Sequence, residues 1–319
     1  MLSALGLLAQ SSVQLTSGQA KIENGYFLTV EDGLPSNKIN AITETKDGFI
    51  WLGTTKGLAR YDGSEVKTFR NHPEDPNSIY DNRITVLEAD TNHLFIGTFL
   101  GFSIMDLETE QFRNFQFDNF APTDTLNKKL LTRVTSIEKA RNGEVWLGTY
   151  SSGVFRYLPE RDSFICYHYP LELVRPSFPA PNDIDHVLAV RQDRFNDHLF
   201  WVGTTAGLLQ INTQNNEMQW YLNPKKEGAD FMNQNAIRSI YQHQDEKLYI
   251  STWFAQILVF DPQKAQFSRL PIHNNLAEDR GAANRFLNVP ISSILPKNQD
   301  EIWIESLEGL MTYHIPSKK

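Results

Sequence analysis

Asp47-Gly48-Phe49-Ile50-Trp51-Leu52-Gly53-Thr54-Thr55-Lys56-Gly57-Leu58-Ala59-Arg60-Tyr61-Asp62 is the stretch on which the fold turns. A turn-forming Asp-Gly leads into an aromatic-x-Gly-Thr run, and a second glycine opens an apolar segment: two strands with tight turns around them. The same wording returns as Trp146-Leu147-Gly148-Thr149 before Gly153-Val154-Phe155, and as Trp201-Val202-Gly203-Thr204 before Gly207-Leu208-Leu209. Looser copies are Phe95-Ile96-Gly97-Thr98, Tyr249-Ile250-Ser251-Thr252 and Trp303-Ile304-Glu305-Ser306. The anchors at 51, 95, 146, 201, 249 and 303 stand 44 to 55 residues apart. A fixed period of that length marks a repeat architecture.

Each copy carries more of the same grammar. About 12 residues before its anchor lies an apolar position (Ile39, Ile84, Val134, Val187, Ile237, Ile291), with another three residues on (Ile42, Leu87, Ile137, Val190, Ile240, Ile294). These pairs predict a buried first strand. A polar turn follows, as at Asp47-Gly48 and Asn142-Gly143, which suits a type I′ hairpin with positive φ at both central residues. An aromatic-rich fourth strand closes the unit, for example Val66–Phe69, Phe112–Phe115, Phe164–Tyr167, Met218–Tyr221 and Phe267–Leu270. Four antiparallel strands per repeat predict an all-β chain, a β-propeller of six visible blades. The anchors are expected in the core, and the glycine before Thr where neighbouring blades approach. Blade 6 lacks a fourth strand, which Gly25–Val30 is expected to supply, closing the ring; a seven-bladed ring truncated at Lys319 is the alternative.

The chain has 319 residues, 40% hydrophobic, 12% aromatic and 21% charged, enough to bury a sizeable core. Acids outnumber bases 38 to 30, for a net charge of −8, which argues against a nucleic-acid partner. Cys166 alone gives neither an intrachain disulfide nor a cysteine zinc cage. The apolar Met1–Ala9 run has the length of a signal-peptide core, so residues 1–20 read as an export signal and 21–319 as a single propeller domain, periplasmic or secreted. No run of 18 apolar residues follows, so no membrane span is expected. No nucleophile elbow, zinc-protease helix or phosphate loop is legible, and no catalytic residue, metal or cofactor is assigned. Asp183-Ile184-Asp185-His186 is too isolated to define a metal site.

The tracts Asp32–Ile39 and Asp47–Asp62 resemble the two-component regulator propeller repeat. The resemblance extends over roughly residues 26–315, close in repeats 1, 3 and 4 and degenerate in 5 and 6, where Ala255-Gln256 and Glu305-Ser306 replace the expected residues. It implies the periplasmic sensor of a hybrid two-component system, in many relatives responsive to oligosaccharides. It also implies companions not legible here: a second propeller, an immunoglobulin-like domain, a membrane helix and signalling domains. The expected function is a non-catalytic ligand-sensing module for a small molecule or oligosaccharide, with a homodimer left open. The alternatives are a glycan-active propeller enzyme, for which Glu308 with Asp183 or Asp185 is the nearest carboxylate pair, and a protein-interaction scaffold.

In a blade, the loop entering the first strand and the loop joining the second and third strands share one face, where repeat proteins gather function. Sugars favour an aromatic plane beside planar polar groups. Phe99, Tyr150 and Trp253 are the aromatic candidates, and Asn37, Lys56, Arg83, Arg133 and Glu308 the polar ones. Lys38, Arg83 and Arg133 also fall at one aligned place, immediately before the first strand of blades 1–3.

Overall fold

The computed structural model describes the backbone at 15–16 and 19–20 and residues 27–117, 133–150, 152–167, 186–223, 235–252, 257–270, 291–306 and 309–315. Leu15–Thr16 (β1) and Gln19–Ala20 (β2) pair as a small hairpin. Blade 1 follows as Ile39–Glu44 (β3), Ile50–Thr54 (β4), Gly57–Tyr61 (β5) and Val66–Phe69 (β6); blade 2 as Ile84–Ala89 (β7), His93–Thr98 (β8), Phe102–Asp106 (β9) and Phe112–Phe115 (β10). Blade 3 is Val134–Lys139 (β11), Val145–Thr149 (β12), Val154–Leu158 (β13) and Ser163–Tyr167 (β14). Blade 4 is Val187–Gln192 (β15), Leu199–Thr204 (β16), Leu208–Asn212 (β17) and Glu217–Tyr221 (β18), and blade 5 is Ile237–Gln242 (β19), Leu248–Thr252 (β20), Ile257–Asp261 (β21) and Gln266–Arg269 (β22). Blade 6 has three described strands, Ile291–Pro296 (β23), Glu301–Ser306 (β24) and Gly309–His314 (β25). The fold is the expected all-β, six-bladed propeller of antiparallel blades. Its contacts group into two units, Met1–Ile137 and Glu138–Lys319.

The repeated motif has a physical reading at each position. A Cβ on Gly53 would meet Ile84 Cγ2 at 2.5 Å, one on Gly97 would meet Val86 at 2.5 Å and Val134 at 2.8 Å, and one on Gly203 would meet Ile237 at 2.6 Å. The next blade's first strand therefore crosses the glycine where no side chain fits. The threonine that follows folds its hydroxyl back onto the turn, Thr54 onto the Gly57 carbonyl (2.7 Å), Thr98 onto Gly101 (2.9 Å), Thr149 onto Gly153 (2.8 Å) and Thr204 onto Gly207 (3.1 Å). Each is fully buried, so the bond also satisfies a group that could reach no water.

The anchors stack on the fourth strand of their own blade: Trp51 on Phe69 (5.6 Å), Trp146 on Tyr167 (5.2 Å), Trp201 on Tyr221 (6.0 Å). Two reach onward, Trp146 to Phe200 (3.8 Å) and Trp201 to Phe260 (5.8 Å). This ladder explains the aromatic content. Trp303 departs from the expectation of a buried anchor. It is half-buried, and Lys297 lies over its ring at 5.0 Å.

Other expectations also need correcting. The hairpins at Asp47-Gly48 and Asn142-Gly143 are not type I′, since only the glycines have positive φ, +87° and +89°. Thr45 and Ala140 each accept from the glycine N–H and donate to residue 49 or 144, which makes a three-residue loop with one left-handed residue. Blade 5 builds the same loop with Glu246 at φ +68°. The strand expected over Gly25–Val30 is not formed in its described part. Phe27–Thr29 has no strand pairing, and Val30–Asp32 makes a single 3-10 turn capped by Thr29 and Asp32. Leu28 instead packs on Leu34, Leu52 and Ala59 of blade 1. Finally, Ile39 and Ile42 are each 38% exposed, whereas their counterparts in the other blades are buried.

Candidate functional site

The first strands carry a bulge just after their first residue, between Ile39 and Ala41, and between Ile84 and Val86. A bulge re-aims a side chain. Here Asn40 Nδ2 reaches the Ile84 carbonyl (2.8 Å) and Thr85 Oγ1 reaches the Val134 carbonyl (2.6 Å). These bonds tie the starts of β3, β7 and β11 side by side. Lys38, Arg83 and Arg133 each stand one residue ahead of these starts.

A second set of bonds brings the other loop to the same place. The Thr55 N–H donates to the Lys38 carbonyl (3.3 Å), Phe99 to Arg83 (3.0 Å) and, in the second unit, Thr205 to His186 (3.0 Å). The residue after each Gly-Thr therefore stands beside the residue before the first strand. In the first unit this sets the Arg83 guanidinium 4.1 Å from the centre of the half-buried Phe99 ring, with Arg133 at 5.8 Å from the same ring. The Arg83 guanidinium also meets Asp81, but only through Nε, at 3.3–3.4 Å. Its two Nη groups donate to nothing among the described residues, and the ammonium groups of Lys38 and Lys56 have no partner there either.

The loop that presents Arg83 is held by buried and half-buried polar groups. Asn71 donates to the Ile79 (2.7 Å) and Tyr80 (3.0 Å) carbonyls, and its own N–H is taken by Asn82 (2.8 Å). Ser78 bridges the His72 N–H and carbonyl, both at 2.9 Å. Asn114 on β10 donates to the Ser78 carbonyl (2.8 Å) and accepts from Ser103 (2.7 Å), whose hydroxyl accepts from the Tyr80 N–H (3.2 Å). Ile79 fills the core beneath. A loop pinned this way presents its side chains with little ordering left to do on binding. Ser78, Ser103 and Asn114 do not recur at the aligned places of other blades, so no periodicity marks them; Asn71 recurs as Asn223, whose N–H is likewise taken by an asparagine, Asn235 (2.8 Å).

In the second unit the half-buried Tyr150 ring is stacked by His186, with centroids 3.5 Å apart and His186 Nδ1 in contact with the Tyr150 carbonyl. The structure thus gives both Phe99 and Tyr150 a polar residue as a face partner. Asn37 is exposed and spends its carbonyl on the Val30 N–H (2.9 Å), and Lys56 is exposed on the turn between β4 and β5, which a bond between Ser36 and Thr55 (3.1 Å) ties to the Asn37 loop. Trp253 and Glu308, with Asp183 and Asp185, lie outside the described residues. Cys166 sits on β14 against the Ser152 carbonyl (3.8 Å), and burial pushes its thiol up to about 11, so it stays protonated and unreactive at neutral pH. Among the described residues, no group of three or more His, Cys, Asp or Glu side chains is arranged to hold a metal ion, and no helix is long and apolar enough to cross a membrane.

Residues 33–56 match the family model "Two component regulator propeller", the tract on which the resemblance rests, so that segment is a repeat of this family. A 63-residue stretch, 18% of this chain, is 40% identical to "Histidine kinase P4" of Formosa agariphila and covers 5% of that protein. Among solved structures, the extracellular domain of a hybrid two-component system from B. thetaiotaomicron is similar over 91% of this chain at TM-score 0.65 and 22% identity. This chain spans 35% of that domain's length, so the rest of the larger protein has no counterpart here. The virginiamycin B lyase of Staphylococcus aureus is similar over 88% of this chain and 85% of its own, at TM-score 0.57 and 10% identity. At these identities the solved structures speak to the fold alone.

Proposed function

We propose that this chain is the extracytoplasmic sensing propeller of a two-component-type signalling protein, and that it binds an oligosaccharide or related small molecule without transforming it. In this reading residues 1–20 direct export, residues 21–319 form the propeller, and the kinase output belongs to other domains. The observation that carries the reading is the convergence of the two loop sets on one face: Phe99 beside Arg83 and Arg133, above a polar network that holds their loop. The family repeat at 33–56 and the likeness to an extracellular sensor domain support the signalling context. Asn37, Lys56, Arg83, Phe99, Arg133 and Tyr150 are the binding residues proposed from the described face, with Trp253 and Glu308 as further candidates.

The test is calorimetric titration of the full chain with a panel of neutral and acidic oligosaccharides, alongside an assay for new reducing ends. The reading expects binding of at least one probe with no change in the glycan. Release of reducing ends by the pure protein would replace it with a glycan-active enzyme.

A further inference from the structure

We infer that the Lys38–Arg83–Arg133 arc with Phe99 seats an oxyanion, a carboxylate or sulfate carried by the sensed oligosaccharide. This rests on the binding reading above and gives it a ligand class. The first observation is charge. The chain carries −8 overall, yet the described starts of the first three first strands carry Lys38, Arg83 and Arg133, with Lys56 on the loop beside Lys38. Bonds from Asn40 and Thr85 hold those starts side by side, so like charges are gathered where mutual repulsion disfavours them. Asp81 meets Arg83 through the guanidinium Nε and the backbone N–H.

The second observation is the state of the guanidinium. Arg83 is fixed on three sides: by Phe99 under its plane at 4.1 Å, by Asp81 at Nε, and by the backbone bond from Phe99 to its own carbonyl. What stays open among the described residues is the Nη fork, the geometry that takes a carboxylate or sulfate by two parallel hydrogen bonds. A side chain needed only to cover Phe99 would not require a second guanidinium on the same ring, yet Arg133 lies 5.8 Å from its centre. Phe99 thus serves to hold two cations rather than to offer its face to a sugar. The pinned loop means the fork is aimed before the ligand arrives.

The discriminating experiment titrates the full chain with three probes: an oligogalacturonide, a κ-carrageenan tetrasaccharide and a neutral cello-oligosaccharide. Wild type, Arg83→Gln and Lys38→Gln are compared at low and high salt, with melting curves to verify folding. The inference expects binding of an acidic probe, weakened by salt, and weakened by roughly 10-fold to 100-fold in Arg83→Gln through loss of a charge-assisted bidentate contact. Lys38→Gln should weaken it by a smaller factor. An oligogalacturonide that binds assigns carboxylate; binding of the carrageenan probe, which carries sulfate and no carboxylate, without the oligogalacturonide assigns sulfate. Equal binding of the neutral probe, or acidic binding unchanged in Arg83→Gln, overturns the oxyanion seat while leaving the sensing reading intact. Binding of no probe, acidic or neutral, overturns both.

Discussion

Blades 4 and 6 begin from the same repeat and end in different states. In blade 4, Trp201 is buried between Tyr221 and Phe260, and its Nε1 donates to Asp193 at 2.7 Å. Gly203 lies under Ile237 of the next blade. In blade 6 the aligned Trp303 is half-buried with a lysine over it, and the glycine position is Glu305, exposed and bound to Ser293 at 2.7 Å. The motif is enforced only where a neighbour covers it. At the exposed position of blade 6 a charge stands where the buried copies have glycine.

The contrast can be broken most forcefully at the anchors. Trp201→Ala should cost about 4 kcal/mol of unfolding free energy and Trp303→Ala less than half of that, measured by urea denaturation. Next comes the glycine position. Gly203→Ala should cost about 2 kcal/mol, because its Cβ would meet Ile237 at 2.6 Å, whereas Glu305→Ala should change stability by no more than about 0.5 kcal/mol. Equal losses at the two positions would mean that blade 6 is packed like blade 4.

Blade 3 sharpens the comparison. Trp146 is fully buried like Trp201, but its Nε1 has no hydrogen-bond partner. The residue six positions earlier explains the difference: Ala140 stands where Thr45 accepts from Trp51 at 3.3 Å. Ala140→Ser should therefore raise stability by about 1 kcal/mol, read as a higher urea midpoint at unchanged slope. The smallest effect is expected at Glu246, which holds φ +68° where blades 1 and 3 use glycine. Glu246→Gly should gain about 0.5 kcal/mol, since relief of the left-handed strain outweighs the lost bond to Gln263 and the added chain entropy.

Most of the fold was legible because repetition writes it several times. The anchors, the Gly-Thr pair and the fourth-strand aromatics each answer one packing need per blade, and their recurrence made even the degenerate copies at Tyr249 and Trp303 readable. What the sequence did not disclose depends on who the neighbour is. Ile39 reads like Ile84, yet one is exposed and the other buried. Gly25–Val30 has strand composition, but its described part follows the Thr29 cap and the Leu28 contact instead of an extended pairing. The candidate site was half legible. Alignment of Lys38, Arg83 and Arg133 came from the repeat register, and Phe99 from the loop set. The stacking that joins them leaves no periodic trace, nor do Ser78 and Asn114 in the network beneath, where Asn71 alone has an aligned counterpart, Asn223.

Ligand is expected to bind at the Arg83–Phe99–Arg133 face of the first unit. Amide hydrogen exchange on the full chain, with and without the best-binding oligosaccharide, tests it most directly. The account predicts slowed exchange at the backbone amides of Arg83 and Phe99 and their immediate neighbours, with the outer β6 and β10 strands unchanged. Protection confined to those outer strands, with the Arg83 and Phe99 segments untouched, would contradict it.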